Sequence, residues 1–143
     1  MKTKIVAALS ALVALLGASA TGCQPDTPEL DFLAEPQPVV HGTDPSAVAI
    51  AQGAAVAVVP YMVQEDVEGT SSYGVSTIRP DDPTILGVVE TQDEHVIPGS
   101  PNDARARAFV MTGLAAGTTT LRFYQGGGYE AGSLLVQVVA QDR

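Results

Sequence analysis

The chain has 143 residues, one cysteine, no tryptophan, and seven basic against sixteen acidic residues, a formal net charge of −9. That length holds one domain and hardly two. The acidic surplus excludes a nucleic-acid partner, which needs Lys and Arg to neutralise phosphates, and a single cysteine excludes an internal disulfide.

Lys2 and Lys4 open the chain, and residues 5–16 form an apolar run. A basic start is held at the anionic membrane face, and an apolar stretch of about 7–15 residues suits the central part of a signal peptide. The run is too short to span a bilayer, which needs about 20 apolar residues. Ala20-Thr21-Gly22-Cys23 follows. This ending resembles the lipobox of bacterial lipoprotein precursors, with Ala20 standing where such precursors most often carry Leu. The resemblance implies cleavage behind Ala20, Thr21 and Gly22, removal of residues 1–22, and acylation of Cys23. Ordinary secretory cleavage is the alternative. A buried N-terminal helix would leave the small-residue ending and its cysteine without a purpose. Gln24 replaces the Asp that often keeps diderm lipoproteins at the inner membrane, so the resemblance points to the outer membrane.

Removal of residues 1–22 leaves 121 residues, without lysine, and five arginines against sixteen acids. This balance disfavours electrostatic attachment to anionic lipid. The expected anchor is the covalent lipid at Cys23, whose chains contribute about 0.8 kcal/mol per buried methylene. Acylation would also consume the one thiol, leaving no cysteine nucleophile.

Residues 23–38 read as an acylated tether. Pro25, Pro28, Pro36 and Pro38 alternate with Asp26, Glu29, Asp31 and Glu35. Proline favours extended conformations and like charges resist collapse. The exception is Leu30-Asp31-Phe32-Leu33, an apolar stretch able to dock on a partner or on its own domain.

From residue 39 onward the hydrophobic period becomes that of strands. Candidates fall at 47–51, 54–63, 73–78, 85–90, 107–111, 118–124 and 134–140. Turn signals separate them: Gln52-Gly53, Glu68-Gly69, Pro80-Asp81-Asp82-Pro83, Pro98-Gly99-Ser100-Pro101 and Gly126-Gly127-Gly128. The alanines of 47–63 favour helix, but Gly53 and Pro60 bracket too few residues for one and the valines prefer strands. Alternation places Thr119, Leu121 and Phe123 inward, then Leu134, Val136 and Val138, with Gln137 outward.

Met111-Thr112-Gly113-Leu114-Ala115-Ala116-Gly117-Thr118-Thr119-Thr120-Leu121 resembles the hallmark stretch of bacterial Ig-like domains of the group 2 type. Ser76-Thr77-Ile78-Arg79-Pro80-Asp81-Asp82-Pro83-Thr84-Ile85-Leu86-Gly87-Val88 is similar to the family's serine strand, Asp-Pro turn and valine strand. Gln52-Gly53 and the Ala/Val run after it look like its second strand. The likeness covers about residues 37–142. In this reading Leu114 plugs the core at the corner and Gly117 relaxes the backbone. The chain departs from the family in lacking tryptophan and in carrying a loop at about 92–104 where a tight turn is usual. That loop is expected to be a tolerated surface excursion; the alternative is a binding loop on a rigid scaffold.

A second likeness would mean a different activity. Phe109, Gly117, Leu121 and Tyr124 fit the outline of chagasin-like cysteine-protease inhibitors, another family with this fold. Their Asn-Pro-Thr-Thr-Gly segment is missing, and Gln125-Gly126-Gly127-Gly128 stands where Arg-Pro-Trp is expected.

Catalytic signals are weak. The histidines are His41, near the tether, and His95, in the inserted loop after Asp93-Glu94. Neighbouring strand residues alternate faces, so Asp93, Glu94 and His95 do not converge as a ligand set or acid–base site. The acids of the connecting segments (Glu65-Asp66, Glu68, Asp81-Asp82, Asp93-Glu94, Asp103) would suit Ca²⁺, but lack the Asp-x-Asp-x-Asp spacing that organises it. Solubility explains them with less assumption. Gly126-Gly127-Gly128-Tyr129 reads as a hairpin loop carrying a contact aromatic, since no helix or lysine follows to make a phosphate cradle.

The sequence therefore reads as all-β. An Ig-like β-sandwich of about seven strands over 39–143 is expected after a cleaved helical signal peptide (1–22) and an extended tether (23–38). No enzyme activity and no cofactor beyond the lipid are expected. The expected role is a non-catalytic binding, adhesion or assembly module of the cell envelope. It would be held to the membrane by Cys23 and meet an envelope protein or glycan through loop surfaces, with Tyr129 a candidate contact and, under the binding-loop alternative, Asp93, Glu94 and His95 as well. The alternative is a chagasin-like inhibitor.

Overall fold

The computed structural model describes residues 24–33 and 42–142. The signal-peptide reading of 1–22, its cleavage residues Ala20, Thr21 and Gly22, the acylation site Cys23, and His41 fall outside the described residues.

Nine strands run through the described residues: β1 (Thr27–Phe32), β2 (Ala47–Ala51), β3 (Ala55–Asp66), β4 (Gly69–Gly74), β5 (Thr77–Pro80), β6 (Leu86–Val96), β7 (Arg105–Gly113), β8 (Gly117–Gln125) and β9 (Tyr129–Val139). They build two sheets. One has the order β1-β3-β7-β6, with β4 attached to β3; the other has the order β2-β9-β8-β5. Leaving β2 and β4 aside, these are the strand orders of an immunoglobulin-type sandwich. β2 runs parallel to β9, and every other pairing is antiparallel.

Period-two alternation puts one apolar row of each strand between the sheets. Val58, Met62, Leu86, Met111, Leu121, Phe123 and Val136 are fully buried there. The inward rows of β8 and β9 lie as their alternation predicts. Thr119 is the polar member of this face, and its Oγ1 accepts the backbone N–H of Asp82 at 2.9 Å, so burial leaves its acceptor satisfied.

Four local expectations change. The first concerns the tether. Residues 27–32 form β1, paired along β3 from Thr27 opposite Val63 to Phe32 opposite Val58. Leu30 and Phe32 pack on the main core, and Leu33, on the opposite face, packs on a second one. Pro28 is accommodated because β1 is an edge strand, where a missing N–H costs least. Two tyrosines pin the strand: Tyr61 donates to Glu29 Oε2 at 2.8 Å, and the Tyr73 hydroxyl donates to the Asp26 carboxylate. Composition reports only that such a segment is extended. The open edge of β3 makes it a strand.

Second, the single strand expected at 73–78 is two. β4 ends at Gly74 in one sheet and β5 begins at Thr77 in the other, with Val75 buried between the sheets where the chain crosses. Third, the insertion at 92–104 is largely structured. Its first part continues β6 to Val96 beyond an irregularity between Glu90 and Glu94. Ile97 then turns back over the outer face of the β3–β7 sheet and is 1% exposed, packed with Val59, Tyr61, Ala106 and Ala108. A 3-10 turn at Pro101–Asp103 completes the reversal, with Asn102 and Asp103 at φ 62° and 50°. Asn and Asp tolerate that left-handed region better than other side chains. The insertion thus builds a second small core.

Fourth, Leu114 does not plug the core. It is 48% exposed, and Leu86 occupies the buried position beneath the corner. Gly117 has φ +154°, and a Cβ there would stand 2.9 Å from Ile85 Cδ1. The glycine therefore both frees the backbone and leaves room for Ile85.

Candidate functional site

One end of the sandwich gathers most of the features that can meet a partner. Strand register brings together the entry into β1 near Asp26, the β3–β4 turn, the β6–β7 connection and the β8–β9 turn. The Tyr73–Asp26 hydrogen bond closes this end, and Gly132 of β9 lies against Pro28 and Met62.

Each turn is built locally. At the β3–β4 tip, Asp66 Oδ1 accepts the N–H groups of Glu68 (2.8 Å) and Gly69 (3.1 Å), leaving Val67 fully exposed. At the β8–β9 turn, Gly127 and Gly128 have φ near +80°, which glycine adopts without strain. Tyr129 follows and is 69% exposed.

A groove of about 440 Å³ opens beside the β6–β7 connection, between the β4–β5 crossover (Tyr73, Ser76) and strands β6 and β7 (Glu90, Glu94, Arg105 and Arg107). Its charged character follows from alternation. Arg105 and Arg107 continue the row of β7 that carries Phe109 and Met111 inward, so the apolar face of the strand becomes cationic where it leaves the core. Arg107 pairs with Glu90 at 2.7 Å and stands opposite Glu94 in the strand register. Arg105 has no ion pair among the described residues. The groove thus offers cationic and anionic groups side by side.

A smaller hollow of about 200 Å³ shares Ser76 and is lined by Thr77, Arg79, Tyr124 and the Gly126–Gly128 turn. Arg79 lies over the Tyr124 ring, 5.5 Å from its centroid. Its register partner Arg122, on the same outer sheet face, pairs with Asp81 and Glu130. These carboxylates raise the Arg122 pKa, and the Arg122 hydrogen bond holds that of Asp81 below the usual carboxylate range.

The expected contact residues separate. Glu94 lines the groove, and Tyr129 lies near Tyr73, whose ionisation it opposes. His95 pairs with Ala106 and so lies on the opposite face of β6 from Glu94, while Asp93 is exposed beside the strand irregularity. Asp93, Glu94 and His95 are not one cluster. The residues missed from sequence are Tyr73, Ser76, Arg79, Arg105 and Arg107. The spacing Arg105-x-Arg107-x-Phe109 was the available signal, since it puts two cations on the face of a core residue.

Burial, with a carboxylate hydrogen bond as the second cause, pushes the phenols of Tyr61 and Tyr73 up to about 12. The charges of Glu29 and Asp31 add to this at Tyr61, as does that of Asp26 at Tyr73. Both phenols remain neutral donors at physiological pH, so the anchoring of β1 holds there.

Among the described residues, no three His, Cys, Asp or Glu side chains stand together as a metal-binding group. Asp66 and Asp82 already accept hydrogen bonds within their own turns. No histidine lines either hollow. Among the described residues, no helix is long and apolar enough to cross a membrane. The arrangement is that of a two-sheet β-sandwich with a mixed-charge groove and exposed turn tips at one end. The chain matches no protein-family model, no curated protein and no solved structure.

Proposed function

We propose that the protein is a membrane-anchored lipoprotein of the cell envelope and that its sandwich is a non-catalytic binding or assembly module. The anchor reading rests on Lys2 and Lys4, the apolar run and the Ala-Thr-Gly-Cys ending at Cys23. The module reading rests above all on this end of the sandwich, where the β4–β5 crossover, β6 and the start of β7 line a groove offering paired and unpaired charges and the turn tips stand exposed. Such a surface binds by complementarity of shape and charge, without a nucleophile or metal. Likeness to group 2 bacterial Ig-like domains supports the same reading through the Met111–Leu121 stretch, and the strand order suits it.

Intact mass and membrane fractionation of the expressed precursor, alongside Cys23→Ala, test the anchor. Acyl-sized mass at Cys23 and release of the variant from membranes are expected. A soluble, unacylated wild-type product would overturn it.

The same end supports a second reading. The β3–β4, β6–β7 and β8–β9 connections lie at one end of the sandwich, as loops that enter a protease cleft together would. A chagasin-like inhibitor would titrate a papain-type protease stoichiometrically. Undiminished protease activity at excess protein would exclude it.

A further inference from the structure

We propose that the turn-bearing end of the sandwich rests on the surface of the membrane that anchors it, contacting zwitterionic lipid headgroups. The inference rests on acylation of Cys23 and names the partner of the end described above. Its first support is length. β1 begins at Thr27 and is held at its start by the Asp26–Tyr73 hydrogen bond. Four residue steps separate Cys23 from Thr27, a reach of at most about 14 Å, where a free tether of residues 23–38 would extend about 50 Å. A headgroup layer takes up about 6 Å of that reach. The sandwich therefore cannot stand far from the bilayer, and the end from which β1 starts is the end that must face it.

The second support is independent of the anchor. Among the described residues, five large apolar side chains are exposed: Val67, Val89, Val96, Leu114 and Tyr129. Val67 stands fully exposed on the β3–β4 tip, and at the same end Tyr129 opens β9 and Val96 closes β6 opposite Arg105. A tyrosine with an apolar body and a polar tip suits the headgroup level, and a valine on a two-residue tip can enter it.

Charge selects the kind of surface. Glu65, Asp66 and Glu68 surround Val67 and repel anionic lipid. The groove at the β6–β7 connection carries Arg105 and Glu94 in one lining, a cation and an anion to meet the phosphate and the ammonium of a zwitterionic headgroup.

The test uses acylated protein reconstituted in phosphatidylethanolamine–phosphatidylcholine vesicles. With Cys23 acylated, a cysteine introduced as Val67→Cys or Leu114→Cys is the free thiol for an environment-sensitive fluorophore. Val67 and Leu114 are exposed and lie at opposite ends of the sandwich, so neither substitution disturbs the core. Tyr129→Cys against Val89→Cys provides a second pair. Blue-shifted emission and quenching by headgroup-borne nitroxide are expected at 67 and 129 and not at 114 or 89. Anionic lipid should weaken both effects. Equal quenching at the two ends, or stronger quenching at 114, overturns the proposal while leaving the anchor intact. Protein that fails to float with vesicles and lacks acyl mass overturns the anchor, and the contact falls with it.

Discussion

Ile97→Ala separates a structural insertion from a tolerated loop. Ile97 is 1% exposed and closes the second core above Val59, Tyr61, Ala106 and Ala108. Truncation removes three buried carbons, worth about 0.8 kcal/mol each, or about 2.5 kcal/mol of transfer free energy. The hole left behind adds a cavity cost, since strand backbones on one side and the Pro101–Asp103 turn on the other limit collapse. A total near 3 kcal/mol is expected, lowering the Tm by about 10 °C for a domain of this size. Urea unfolding of residues 24–143, followed by circular dichroism, measures it. The midpoint should fall with little change in slope, because the folded state loses packing and not compactness. Val67→Ala is the surface control. A loss at Ile97 within about 0.5 kcal/mol, as for an exposed site, would refute the packing argument and restore the insertion to a surface excursion.

Two further outcomes follow from close contacts and titration. At Gly113 a Cβ would stand 2.6 Å from the Ala51 carbonyl oxygen and 3.0 Å from Val138 Cγ1. Backbone cannot yield as a side chain can, so Gly113→Ala should cost about 1–3 kcal/mol by the same urea assay; an unchanged midpoint would show that the strands can part. The phenols of Tyr61 and Tyr73 are pushed up to about 12 in the fold, above an unfolded value of about 10. Their stabilisation is therefore fully present below pH 10 and lost as pH rises through 12. Absorbance near 295 nm should show a late-ionising component that denaturant removes and that Tyr61→Phe reduces. A titration identical in native and denatured protein would refute the burial of these groups.

The sequence by itself determined the all-β class and most strand positions, because inward and outward residues alternate within a single strand and need no distant partner to be recognised. It placed Leu121, Phe123, Val136 and Val138 inward, and the structure buries or nearly buries each. It also showed that Leu30 and Phe32 were suited to docking, but not that an open edge of β3 would receive them. Extended chain looks alike whether it is solvated or paired. The division of 73–78 between two sheets, the second core beneath Ile97 and the exposure of Leu114 were likewise decided by tertiary structure. So was the groove, since Glu90, Glu94, Arg105 and Arg107 acquire a common purpose only when register sets β6 beside β7. Alternation is a local property of the chain. Which strand becomes an edge, and which turns share an end, depends on pairings between residues far apart in sequence.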